Sequence, residues 1–199
     1  MIELQKAIRQ MSIVRLICIF ATFFANIDVF LKILILLSID SFKFVYLYLT
    51  VKELKKGDLA MNAMYQRWDK ILDMLSYVLV QTLLMKHSIL TNLQTNIMLG
   101  LLAERMIGEM LYAATDKREY LFYFPDVYKE ILLVFYVFGE NWSAAVPVGA
   151  TSIAAKFYLE YKFHVSLEGG TDFVHWFILA AFVLWCYRVF GLKRGGVIV

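Results

Sequence analysis

The chain is apolar almost throughout, yet no stretch of it stays free of charge long enough to cross a bilayer unaided. A clean helical span takes about 20 apolar residues. The longest uncharged runs are Leu16–Ile27, Met74–Met85, His87–Ala103, Asn141–Ala155 and Phe173–Tyr187, each closed by a charged residue. That residue must snorkel to the interface, pair, or turn toward a protein interior. Interrupted spans are therefore the feature that any fold of this chain has to accommodate.

Composition settles the solvent that such spans expect. Apolar residues make up 61% of 199 residues and mean hydropathy is +0.64, too apolar for a chain that must clothe itself in polar surface. Sixteen Phe, 12 Tyr and 4 Trp against 2 Pro suit helices with interfacial rings. A membrane β-barrel would alternate apolar and polar residues, whereas here the apolar residues come in blocks. The expected class is all-α: a polytopic helical membrane protein forming one domain over residues 1–199.

Span by span, the first is expected from Ser12 to about Leu37, running past Asp28 and Lys32. Phe42–Val51 is then a short return pass or an interfacial helix. Residues 52–70 read as an extramembrane loop, the second span as about Ile71–Met85, and the third as about Asn92–Ala114. A polar loop at about 115–120 precedes the aromatic string Tyr120–Phe124 and Pro125, which would end or start a helix. Ile131–Gly139 is short enough to be interfacial or re-entrant. Trp142–Phe163 reads as a helix, and the last span as Phe173–Phe190. Four crossings are the minimum and six the maximum. Basic flanks at Lys6, Arg9 and Arg15, and at Arg188, Lys193 and Arg194, place both termini on the cytoplasmic or equivalent side of a bacterial or organelle inner membrane. An extra return through Phe42–Val51 would also bring the basic loop 52–70 to that side.

Candidate functional residues are those that lipid penalises. Arg105 and Glu109 are an i,i+4 pair beside Glu104. Asp28 and Lys32 form a second such pair, and all five would share one interior cluster if the first and third spans pack together. They are read as a transport site or as polar glue; for Asp28 and Lys32 the competing reading is a helix that ends near Asn26 and leaves them wet. Asn92, Gln94, Thr95 and Asn96 line a path with Thr91 or form a loop. Ala145/Gly149 and Ala150/Ala154 give small residues four apart, the spacing of close helix contact in lipid.

Metal and haem chemistry have weak support. His87 and His175 are the pair placed to grip a haem between spans. Glu160, His164 and Glu168 are spaced i, i+4, i+8, which a solvated helix end explains more simply. Cys18 and Cys186 lie in apolar runs as inert small hydrophobes. No cofactor is expected apart from bound lipid. A net charge of +3 without a basic stripe gives no nucleic-acid case, and no nucleophile motif or phosphate loop is present. The function expected first is non-enzymatic: a homo-oligomer or an assembly subunit of a larger membrane complex, its interrupted spans buried against other helices. A small ion or solute conductor using Asp28, Lys32, Glu104, Arg105 and Glu109 is the alternative. An intramembrane haem or lipid-modifying enzyme is the third.

Overall fold

The computed structural model describes residues 2–50 and 63–161, and among these helices joined by short turns are the only regular elements. The elements are α1 (Ile2–Phe24), α2 (Val29–Thr50), α3 (Ala63–Lys86), α4 (Asn92–Thr115), α5 (Glu119–Tyr123), α6 (Tyr128–Phe138) and α7 (Trp142–Glu160). Most of the loop 52–70 and the last span Phe173–Phe190 lie outside the described residues, as do His164, His175, Cys186, Arg188, Lys193 and Arg194.

The continuous first span expected over Ser12–Leu37 is instead a helical hairpin. Helix α1 stops at Phe24 and α2 starts at Val29. Asp28 makes the break: its Oδ1 accepts from the backbone N–H of Phe30 (2.9 Å) and Leu31 (3.1 Å), satisfying amides that a helix start leaves without partners. Lys32 works on the other side of the turn, its Nζ donating to the carbonyl of Phe23 at 3.3 Å. The segment that turns back along α1 is thus the whole of α2, starting well before the block Phe42–Val51.

Helix α3 runs parallel to α1, since Ile8 packs with Tyr65 and Arg15 bonds to Asp69 and Asp73. Helix α4 turns back alongside it. Thr91 caps α4 in a reciprocal pair with Gln94, whose Nε2 donates to the Gly139 carbonyl at 2.6 Å. The Asn92–Asn96 stretch is accordingly the first helical turn, not a loop. Gly139, at φ +57°, ends α6 in a backbone region open to glycine, and Asn141 caps α7. Pro147 stands one turn inside α7.

The core gathers Ile19, Leu36, Leu72, Val80, Leu84, Met98 and Tyr128 between α1, α2, α3, α4 and α6. A second cluster joins Val134 and Phe138 of α6 to Ala144, Ala145 and Val148 of α7. By length and composition, one described helix segment, Leu4–Phe24, is long and apolar enough to cross a membrane, with Val29–Ile39 a shorter apolar stretch.

Gly108 is where α4 admits its neighbour. A Cβ there would overlap the side chain of Phe124, whereas a Cβ at Gly100 would meet nothing. Overpacking a tight contact costs about 1–3 kcal/mol, and Gly→Ala in an unobstructed helix gains up to about 1 kcal/mol. Thermal unfolding of the purified protein should therefore show G108A melting below the wild type and G100A at or above it.

Candidate functional site

Polar residues recur along α3 at Gln66, Asp69, Asp73, Ser76 and Gln81, a helical spacing that puts them on one face. That face is buried, with every one of these five at 5% exposure or less. Opposite it stands Arg15 of α1, 4% exposed, whose Nη1 reaches Asp69 Oδ1 at 2.7 Å and whose Nη2 reaches Asp73 Oδ1 at 3.0 Å. One guanidinium spans two carboxylates one helical turn apart. Arg15 is hence an interior residue and cannot count as a basic flank, whereas Lys6 and Arg9 are exposed.

The expected Arg105–Glu109 pair forms, Nε to Oε1 at 3.1 Å, and both residues are buried. Arg105 does more than pair along its own helix. Its Nη1 donates to the carbonyls of Phe124 (2.7 Å) and Leu121 (3.4 Å), so it holds α5 and the following turn against α4. Gly108 makes the space for this approach. Glu104 is half-buried on the same helix. Asp28 and Lys32 do not join them: Asp28 is exposed, and their bonds are to the backbone of the α1–α2 turn. The five-residue cluster is therefore not assembled. The reason is the helix break that Asp28 itself creates.

From Phe124 the polar interior continues. Tyr77 Oη donates to Asp126 Oδ2 at 2.6 Å and Tyr128 Oη to Gln81 Oε1 at 2.9 Å. The two rings stack at 4.9 Å between centroids, and Lys129 Nζ lies 5.4 Å from the Tyr77 ring centroid, within cation–π range. On α6, Glu130 is 4% exposed, with Lys156 Nζ of α7 at 3.5 Å from its Oε1. Asp126 lies within electrostatic reach of Arg105, Lys129 and Lys156, and Glu109 within reach of Lys70, Asp73 and Asp126. The charges form one band from α1 through α3 and α4 to α6 and α7.

At its edge the band reaches solvent. Arg67 Nη2 binds Asp116 Oδ1 at 2.8 Å with both side chains exposed, and the hydrogen bond and charge of Asp116 hold the guanidinium above its ordinary pKa. Arg118, half-buried before α5, is pulled below its ordinary value by that burial, with Tyr112 acting in the opposite sense.

The other expected features divide. Ala145 and Gly149 face α6, Gly149 toward Ile131, while Ala150 and Ala154 are exposed. His87 is exposed just beyond α3, and Glu160 ends α7. Sequence reasoning missed Arg15, Asp69, Asp73, Tyr77, Gln81, Asp126, Tyr128, Glu130 and Lys156. For the α3 residues the signal was present as the helical spacing of polar side chains. Comparison of the chain with protein-family models, with curated proteins and with solved structures finds no match.

Removing one partner of a buried ion pair strands the other, at about 3–5 kcal/mol. Arg15→Met should lower the unfolding midpoint steeply by leaving Asp69 and Asp73 without their guanidinium. Arg67→Met, at an exposed pair that water and salt screen, should leave it nearly unchanged. Denaturant titration of the two variants under one set of conditions makes the comparison.

Proposed function

We propose that the chain is a polytopic helical membrane protein whose work is assembly, as a homo-oligomer or as a subunit of a larger membrane complex. The observation that carries this reading is inverted polarity. Arg15, Asp69, Asp73, Arg105, Glu109 and Glu130 are buried, while Ile17 (61% exposed), Leu34 (49%), Ile71 (57%), Met110 (64%) and Val146 (60%) stand on the outer faces of five helices. In water such a distribution sets hydrophobic burial against itself. In lipid it is what the solvent demands, because charges turn inward and apolar side chains meet acyl chains.

Helix order supports an orientation as well. Helix α2 returns to the end where α1 begins, Tyr46 packing beside Ala7, Ile8 and Met11. The exposed cations Lys6, Arg9, Arg67 and Lys117 gather at that end, which we assign to the cytoplasmic or equivalent side. An open apolar groove of about 430 Å³ lined by Leu16, Ile17, Phe20, Ala21 and Phe24 suits a lipid acyl chain.

The small-residue face refines the assembly reading. Ala145 and Gly149 are already used within the chain, so the part of the face left for a partner is Ala150 and Ala154, the side chains that would let a second helix approach closely. Alkaline extraction should leave the protein in the membrane, and native mass in nanodiscs should show an oligomer or a co-purifying membrane subunit. A150L/A154L should dissociate that complex with the fold retained, whereas A145L/G149L should unfold the chain itself. Release at alkaline pH would end the membrane reading; a complex indifferent to A150L/A154L would remove this face from the assembly.

A second reading, a small ion or solute conductor, draws on the continuity of the charged band. In it Arg105 and Glu109 lie on the path, and Asp28 and Lys32, bonded to the turn backbone, do not. Liposome flux that falls when Arg105 or Glu109 is neutralised would favour it; flux indifferent to both would not.

A further inference from the structure

Among the described charged residues below 9% exposure, four are carboxylates (Asp69, Asp73, Glu109, Glu130) and two are arginines (Arg15, Arg105). Asp69, Asp73 and Glu109 each touch an arginine. Glu130 does not. Its cation is Lys156, at the long distance of 3.5 Å and 21% exposed at the side chain, and that same lysine also lies within electrostatic reach of Asp126. Lys129 lies within electrostatic reach of both carboxylates as well, and Arg105 of Asp126.

The oxygen inventory points the same way. Asp126 takes the Tyr77 hydroxyl on Oδ2, and its Oδ1 is buried with no hydrogen-bond partner among the described residues. Glu130 faces Lys156 through Oε1, and its Oε2 is likewise buried without one. A buried ionised carboxylate needs its lone pairs met. Two buried, mutually interacting carboxylates, with an unmet oxygen on each, are short of hydrogen-bond donors. A proton supplies one, converting an acceptor into a donor and relieving the repulsion between the two carboxylates.

We propose that Asp126, Glu130 and Lys156 form an exchangeable proton-binding site at the α6–α7 contact, in which the two carboxylates hold one proton between them. The groups facing it are Arg105 from α4, Tyr77 from α3, Lys129 and Tyr128 from α6 and its start, and Lys156 from α7, with Glu109 across the α4 side. The cations keep one carboxylate ionised, and burial favours the neutral form of the other. Two interacting acids of this kind titrate as a pair. The site is built within one chain and is independent of the assembly reading.

Infrared difference spectroscopy on the full chain in nanodiscs, between about pH 5 and about pH 9, tests it by the carboxylic-acid C=O stretch and its shift in D₂O. The wild type should show a titrating, deuterium-sensitive band that is lost or displaced in both D126N and E130Q and retained in E104Q and E109Q. Lys156→Met should move its loss to higher pH. Should a variant not fold, ¹³C-carboxyl labelling of aspartate and of glutamate in the unmodified chain assigns the band instead, an isotope shift marking the residue type that holds the proton. No titrating band in the wild type would overturn the proposal, as would a band that survives unchanged in both D126N and E130Q.

Discussion

Arg15 and Arg105 are the interactions on which the rest of the bundle depends. Each sits near the middle of its helix, at a depth where an unpaired guanidinium would be ruinous in either an apolar core or a bilayer. Arg15 answers this by holding α3 alongside α1, because α3 offers Asp69 and Asp73 one turn apart to a single fork of donors. Arg105 recruits backbone as well as a carboxylate. By holding the carbonyls of Leu121 and Phe124 it fixes where the chain leaves α5, and so where Asp126, Tyr128 and Glu130 arrive. Gly108, by lacking a Cβ, makes the approach sterically open. Helix α6 is then held by Tyr77 and Gln81 of α3 and by the main core, and α7 packs on α6.

Polar contacts of this kind are directional, whereas the apolar clusters around Leu72, Val80, Leu84 and Met98 would tolerate several packings. The charged band therefore sets register, and the apolar surroundings supply the bulk of the contact. That division of labour suits a bundle whose outer surface is itself apolar, since hydrophobicity alone could not tell its inner helix faces from its outer ones.

Local features were legible in the sequence, and non-local ones were not. Helical class followed from blocked apolar residues, and the Arg105–Glu109 pair followed from i,i+4 spacing. The stripe Gln66–Asp69–Asp73–Ser76–Gln81 could have been read by the same rule, but ending a loop at residue 70 cut it in two and assigned its polar half to solvent. Asp28 stayed open between a continuous span and a helix ending near Asn26, and the structure takes the second: the apolar residues on both sides favour one continuous helix, and the short side chain that caps α2 interrupts it with no glycine or proline to mark the break. Glu130 with Lys156, and Tyr77 with Asp126, join residues far apart in the chain, so no local period could have paired them. The last apolar segment, Phe173–Phe190, lies outside the described residues.

The central claim is that the charged band faces inward while the apolar faces meet lipid. Spin labels placed singly at Ile17, Leu34, Val146 and Ile107, the last 49% exposed on α4, in a background without Cys18 and Cys186, in liposomes, address it directly through collision with oxygen and with a water-soluble nickel reagent. The account predicts high oxygen and low nickel accessibility at all four positions. Nickel accessibility at these sites equal to that of a label at Lys6 would contradict it.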